Sequence, residues 1–403
     1  MHALQFDDNI PRYVLAKALG WLLPSVYWNG LGCLRYREIP EPPLPGPDWV
    51  RVRVRYGGIC GSDLNAITLH DSPSLSAYTS FPFTMGHENV GTITELGPAV
   101  EGFAVGERVV VEPVLGCVVR GFDDLCPACA RGDPAICERR TEGVIAAGTF
   151  TGYCASTGGS WSPVFVTHQS QLLGVPEGVS DENAVMTDPL ATALRAVVRN
   201  PPPEGGTALV LGAGTIGLCV VVALRALGYP NRVVAVAKHP FQAELARRYG
   251  ADRVVQPGDD AALAEALSAR LHRPILGKPL VSGGAEVVYE CVGSDASLDT
   301  AIRFTREGGT MVVLGLAAIP RGIDWAPIWL KEIAVHGSYA YGFETWQGQR
   351  VRTMQLALDL MAAGKVDLAP LVTHRFRLED YRRALTMATH KSRHCLVKAI
   401  FVF

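Results

Sequence analysis

The chain reads as an α/β protein of two domains, an antiparallel β-rich region followed by a doubly wound parallel sheet. Three observations predict this. At 403 residues the chain is too long for one compact core. Its first part carries short alternating runs separated by turn signals. From about residue 196, uninterrupted apolar strands alternate with helical patterns. The expected boundaries are 1–195 and 196–344, with a further helical and strand segment at 345–403.

Composition narrows the function. Apolar residues are 48% and charged residues 19%, and the formal net charge is -2. A basic surplus suited to nucleic acid or to an anionic membrane surface is missing, so neither partner is expected. Residues 1–12 lack the charged and apolar regions of a targeting segment. The apolar stretch from Ala18 to Trp28 is broken by Pro24 and is shorter than the roughly 20 residues that cross a bilayer. A cytoplasmic location is the default expectation. Ten cysteines, four of them between 117 and 137, then read as metal ligands rather than disulfides.

In chain order, residues 50–59 (VRVRVRYGGI) alternate with the period of a half-exposed strand. NVGTITEL at 89–96 and RVVVE at 108–112 follow, divided by LGP and VGE turns. Pro201–Pro203 and Gly205–Gly206 break the chain. TALVLG is a buried strand, IGLCVVVALRALG an apolar helix, RVVAVA a strand, and PFQAELARRYG an amphipathic helix. VVYECV, TMVVLG and IAVHGS are three more apolar strands. MQLALDLMAAG and LEDYRRALTMAT are helices, and CLVKAIFVF ends the chain as a strand.

The turn Gly212-Ala213-Gly214-Thr215-Ile216-Gly217 follows a strand and opens a helix, the setting in which such glycines bind a dinucleotide. They allow a tight turn, a close approach to the pyrophosphate at the helix N-terminus, and close helix packing. A glycine-rich turn without ligand is the bland alternative, and the placement argues against it. The following strand should end in a carboxylate if the ribose carries a free 2′-hydroxyl. Ala237, Lys238 and His239 stand there instead. NADP is therefore expected over NAD, unless the two cationic side chains are merely solvated.

Cys117, Cys126, Cys129 and Cys137 suit a closed tetrahedral zinc site that organises a loop. Unrelated thiols or an iron–sulfur cluster are the alternatives. Cys60-Gly-Ser-Asp and Gly86-His87-Glu88 together offer a thiolate, an imidazole and a carboxylate. A catalytic zinc tolerates that mixture with one position left open.

Read in order, GGICGSDLN, GHENVGTITELGPAVEGFAVGERVVVEP, the cysteine lobe and GAGTIG resemble the zinc-dependent medium-chain dehydrogenase family, in the style of its polyol, threonine and glucose dehydrogenase branches. The resemblance implies a chaperonin-10-like catalytic domain, completed by 345–403, and a Rossmann domain. It implies catalytic zinc ligation by Cys60 and His87, with Glu88 as a ligand or exchangeable neighbour. Asp188, before Pro189, fills the place of a Glu in the sugar- and polyol-using branches. One methylene shorter, it would ligate directly or through water. Ser62 would take the alcohol proton, and Asp63 would orient His87.

Three departures stand out. Asn65 occupies the place of a proton-relay His. Asp123 stands where the cysteine lobe usually begins, so Cys117 is expected to reach back. About 20 residues near Asn9 to Gly32, with Trp21, Leu22, Leu23, Tyr27 and Trp28, are inserted; they would cover the substrate mouth, meet another subunit, or pack on their own domain. The implied activity interconverts an alcohol (a polyol, sugar or amino alcohol ahead of a simple one) and a carbonyl compound. A homodimer or homotetramer is expected. A dismutase or epimerase that retains its cofactor, and a non-catalytic dinucleotide-binding redox sensor, are the rival readings.

Overall fold

The alternation at 50–59 becomes the strand Trp49–Gly58, whose Val50, Val52 and Val54 point into a core with Ile93, Val109, Val111 and Phe165. A computed structural model describes residues 1–403. The chain forms two compact units, Met1–Asp188 with Tyr341–Phe343 and Met354–Phe403, and Pro189–Ala340 with Glu344–Thr353.

In the first unit, Trp49–Gly58 is the hub of a seven-stranded sheet. Asn89–Leu96, Val164–His168 and the terminal strand Lys398–Val402 all pair with it antiparallel. Arg108–Val111 and Leu172–Gly174 extend the sheet on one side and Val372–Arg377 on the other. The register Ile400↔Gly58 brings Lys398 to the point where Trp49–Gly58 ends. The inserted residues form a helix, Ile10–Leu19, and a 3-10 turn, Pro24–Tyr27. Ala16, Val26, Tyr27 and Trp28 pack into a cluster with Leu4, Phe6 and Phe401, while Trp21, Leu22 and Leu23 stay exposed.

The second unit carries six parallel strands in the order Arg253–Val255, Arg232–Val236, Thr207–Leu211, Ala285–Glu290, Thr305–Val313, Ala334–Gly337. The order reverses between Thr207–Leu211 and Ala285–Glu290, so a crevice for a ligand opens at their carboxyl ends. The residues buried on these strands are mostly Val, Leu and Ala, as a sheet covered on both faces requires.

The expected boundary at 195/196 falls inside the helix Thr187–Arg199, whose first two residues belong to the first unit and the remainder to the second. The return to the first unit, expected at 345, is split: Tyr341–Phe343 precedes that point and the chain rejoins the unit at Met354. Buried Glu344 accepts from Arg199 Nε at 2.8 Å and pairs with Arg195 at 3.1 Å. Those contacts keep the hairpin Phe343–Trp346 and Gln349–Arg352 largely with the second unit. No helix is long and apolar enough to cross a membrane.

Candidate active site and metal centres

Cys60 is the N-cap of the short helix Gly61–Ile67, and Asp63 is its third residue. The Cys60 N–H donates to Asp63 Oδ2 at 2.9 Å, while the Asp63 N–H meets the Cys60 side chain. The motif is thus a capping box with Cys in the usual Ser/Thr place. Asp63 is fully buried, and its other oxygen, Oδ1, lies 3.4 Å from His87 Nδ1. That leaves Nε2 as the ring nitrogen available to a metal. Burial works against a charged His87, but the Asp63 carboxylate outweighs it and raises the ring's proton affinity well above the ordinary value.

The Cys60 thiol, a His87 nitrogen and a Glu88 oxygen converge within 4.8 Å of one another. Soft, borderline and hard donors at this spacing suit zinc, whose bonds of about 2.0–2.3 Å would draw such donors to roughly 3.5 Å apart. The residues present therefore fit a catalytic zinc.

Both neighbouring carboxylates are engaged by side chains far away in sequence. Glu88 forms a fully buried ion pair with Lys398. Desolvation disfavours the Lys398 ammonium, yet the charge of Glu88 holds its proton above the usual range. Asp188 lies outside the three-residue group, and its Oδ2 accepts from the Tyr341 hydroxyl at 2.5 Å. Burial pushes Asp188 up to about 6 against the pull of His87. Rings line the site. Phe150 lies 6.0 Å and Tyr153 6.2 Å from His87, and Phe150 stacks on Tyr341. The Tyr153 hydroxyl is buried without a hydrogen-bond partner from the chain and stands beside Ser62. Asn65 sits on the same helix as Ser62.

The four lobe cysteines gather their sulfurs within 4.8 Å, with Cys117–Cys137 at 3.6 Å and Cys126–Cys137 at 3.9 Å. A tetrahedron with metal–sulfur bonds of about 2.3 Å has edges of about 3.8 Å, so this set fits a closed zinc site. Backbone N–H groups of Cys126, Cys129, Glu138 and Arg139 point at sulfurs at 3.4–3.5 Å. A hydrogen bond from Cys129 pulls Cys137 down to about 5. Exposed Asp123 takes no place in the group, and Cys117 closes it from the preceding turn.

At the glycine turn, Gly212 has φ +93°, and a Cβ there would meet Val292 at 2.4 Å. A Cβ on Gly217 would lie 1.7 Å from the Gly212 carbonyl oxygen. Gly214 differs, since a Cβ there meets nothing within 4 Å. That open space before the helix Thr215–Ala226, with Thr215 and Ile216 in its first turn, fits an approaching pyrophosphate. Ala237 is buried at the end of Arg232–Val236, Lys238 is exposed, and His239 stacks on Phe241 at 5.7 Å.

Fold and sites together define a metal-dependent oxidoreductase that handles a dinucleotide. The profile described as alcohol dehydrogenase GroES-like domain matches residues 46–177, and that described as zinc-binding dehydrogenase matches 215–355. A probable zinc-binding alcohol dehydrogenase of Mycobacterium tuberculosis is 31% identical over 92% of this chain and 88% of its own. L-idonate 5-dehydrogenase of Vitis vinifera is 29% identical over 88% and 86%. The solved 2R,3R-butanediol dehydrogenase of Bacillus subtilis superposes with a TM-score of 0.71 at 26% identity, covering 100% of this chain and 99% of that one. Two further solved neighbours are complexes, one with NADH and one with NADP.

The chain belongs to the zinc-dependent medium-chain alcohol dehydrogenase family. It is an oxidoreductase of small alcohols that uses zinc and a nicotinamide dinucleotide.

Sequence reasoning missed Lys398, Tyr341, Phe150 and Tyr153. It also missed Lys391, whose ammonium is disfavoured by burial and by Lys398 and which lies in the field of Cys60 and Glu88. The one available signal was Lys398, a lone charge in an otherwise apolar terminal strand.

Proposed function

We propose that the chain oxidises a polyol, sugar or amino alcohol to the carbonyl compound, reversibly, with NADP preferred over NAD. The carrying observation is the convergence of Cys60, His87 and Glu88 at one end of the hub strand, with Ser62 beside them. Cys60 and His87 would hold the catalytic zinc with Asp188 or Glu88, and Cys117, Cys126, Cys129 and Cys137 a structural one. When bound, zinc makes the alcohol O–H acidic near neutral pH. A bound nicotinamide would supply the acceptor for the hydride that leaves the carbinol carbon.

The chain's own residues do the rest. Asp63 fixes the His87 ring. Ser62 Oγ accepts the alcohol proton and passes its own toward the buried Tyr153 hydroxyl beside it, where Asn65 supplies no imidazole. Asp71, pushed up to about 6 by burial and by Asp63, is the acceptor beyond it. The Gly212, Gly214 and Gly217 backbone, with Thr215 and Ile216, would receive the pyrophosphate. Ala237 leaves room for a 2′-phosphate that Lys238 and His239 would hold. The polyhydroxy substrate class rests on the likeness to the idonate enzyme and on the carboxylate at Asp188.

A homodimer or homotetramer is the assembly we favour. The outer edge of Ala334–Gly337 is free in the sheet, and Trp325, Trp329 and Leu330 are exposed beside it in sequence. Absorbance of the reduced nicotinamide, across polyols, sugars, amino alcohols and simple alcohols with each cofactor, tests the function. A polyhydroxy or amino alcohol with NADP is expected to give the highest kcat/KM. Lys238→Ala should lower the NADP value by about tenfold or more, the worth of a charge-assisted hydrogen bond, and spare NAD. A tenfold preference of the parent for NAD would overturn the NADP reading.

A further inference from the structure

Three residues interrupt the dinucleotide-binding unit. The chain up to Ala340 and from Glu344 belongs to that unit, while Tyr341–Phe343 belongs to the catalytic one. Contacts within the catalytic unit hold them. The Phe343 N–H donates to the Gly132 carbonyl at 2.8 Å, and Gly132 is the left-handed cap of the helix Pro127–Arg131 that carries Cys129. The Tyr341 hydroxyl donates to Asp188 Oδ2 at 2.5 Å. Tyr341 is fully buried, and its ring stacks on Phe150 at 6.4 Å and 8°. The turn into the segment needs φ +53° at Ala340, a conformation unfavourable for a residue with a Cβ and therefore held by these contacts.

We propose that Tyr341 is the positioning residue for the catalytic metal site, fixing the Asp188 carboxylate so that Oδ1 faces the centre formed by Cys60 and His87. The inference rests on reading that centre as the zinc site. Asp188 opens the helix Thr187–Arg199. Its short side chain reaches few points, so the one oxygen taken by the phenol dictates where the other goes. The segment is pinned to the cysteine lobe at its far end, so the lobe braces the carboxylate. A carboxylate ligand already anchored by a hydrogen-bond donor loses less freedom on binding metal than a loose one, and losing such a partner typically costs 10- to 100-fold in metal affinity.

Tyr341→Phe keeps the ring and its stack on Phe150 and removes only the hydroxyl. Zinc release to a chelator should then separate the two sites. The catalytic zinc is expected to leave about 10- to 100-fold faster than in the parent, while the release rate of the lobe zinc stays unchanged. With cobalt(II) in the catalytic site, the visible spectrum should shift in Tyr341→Phe. In an Asp188→Ala background the same substitution should add nothing. Catalytic-site release within twofold of the parent, with an unaltered cobalt spectrum, would overturn the proposal. If instead the parent itself binds only the lobe zinc, the reading of the centre fails, and the proposal with it.

Discussion

The cysteine lobe and the Cys60–His87 centre would, on the proposed reading, use the same kind of ion for opposite ends, and their surroundings differ accordingly. The lobe has four identical soft donors at the edge lengths of a zinc tetrahedron, and backbone N–H groups already aimed at the sulfurs. Nothing in it is left for a substrate. The other centre mixes donor types, takes its partners from five separate stretches of chain, and is walled by Phe150, Tyr153 and Tyr341. A set complete in itself contributes to folding, whereas a set left one donor short does chemistry.

The sharpest way to break that contrast is to damage each centre in turn. Cys60→Ala and His87→Ala should lower kcat by more than about 10³-fold, because the metal supplies several kcal/mol to the reaction. Their melting temperatures should stay within a few degrees of the parent's. Cys126→Ala should instead cost about 3 kcal/mol or more of stability and one zinc per chain by metal analysis. A Cys126→Ala protein that melts like the parent would erase the distinction.

Lys398 tests whether the open centre is also held by buried charge. Lys398→Met strands Glu88 in the interior, and urea unfolding should show a loss of about 3–5 kcal/mol. A loss under 1 kcal/mol would mean that water reaches Glu88.

The smallest effect concerns Asp71. Burial and the nearby Asp63 carboxylate raise it to about 6, above its unfolded value near 3.9. Its favourable contribution is therefore complete below about pH 4 and is lost as pH rises through 6. Asp71→Asn removes that dependence, so the variant should gain on the parent by about 1–3 kcal/mol between pH 4 and 7. A difference in stability that does not change with pH would show the carboxyl to be solvated.

What the sequence revealed follows the same line. The glycine turn and the four cysteines are local patterns legible in their spacing, whereas the Cys60 and His87 fragments, each weak alone, take their place as zinc ligands from the family resemblance, and the structure brings them together. Lys398 and Tyr341 act on residues 310 and 153 positions away, and no periodicity carries that information. Lys398 lies in an apolar strand where a lone Lys usually reaches solvent; only the pairing of Ile400 with Gly58 turns it inward. The insert divides likewise. Tyr27 and Trp28 are buried and Trp21 is exposed, although all three look equally sticky in sequence.

One consequence follows from Asp63. A single carboxylate anchors the first turn of a helix with one oxygen and steers an imidazole with the other. Fraying of that turn would therefore swing the ring, and any loss of ring orientation would loosen the turn. Local backbone order and reactivity are welded together at this point, so a substitution that disturbs one would disturb the other.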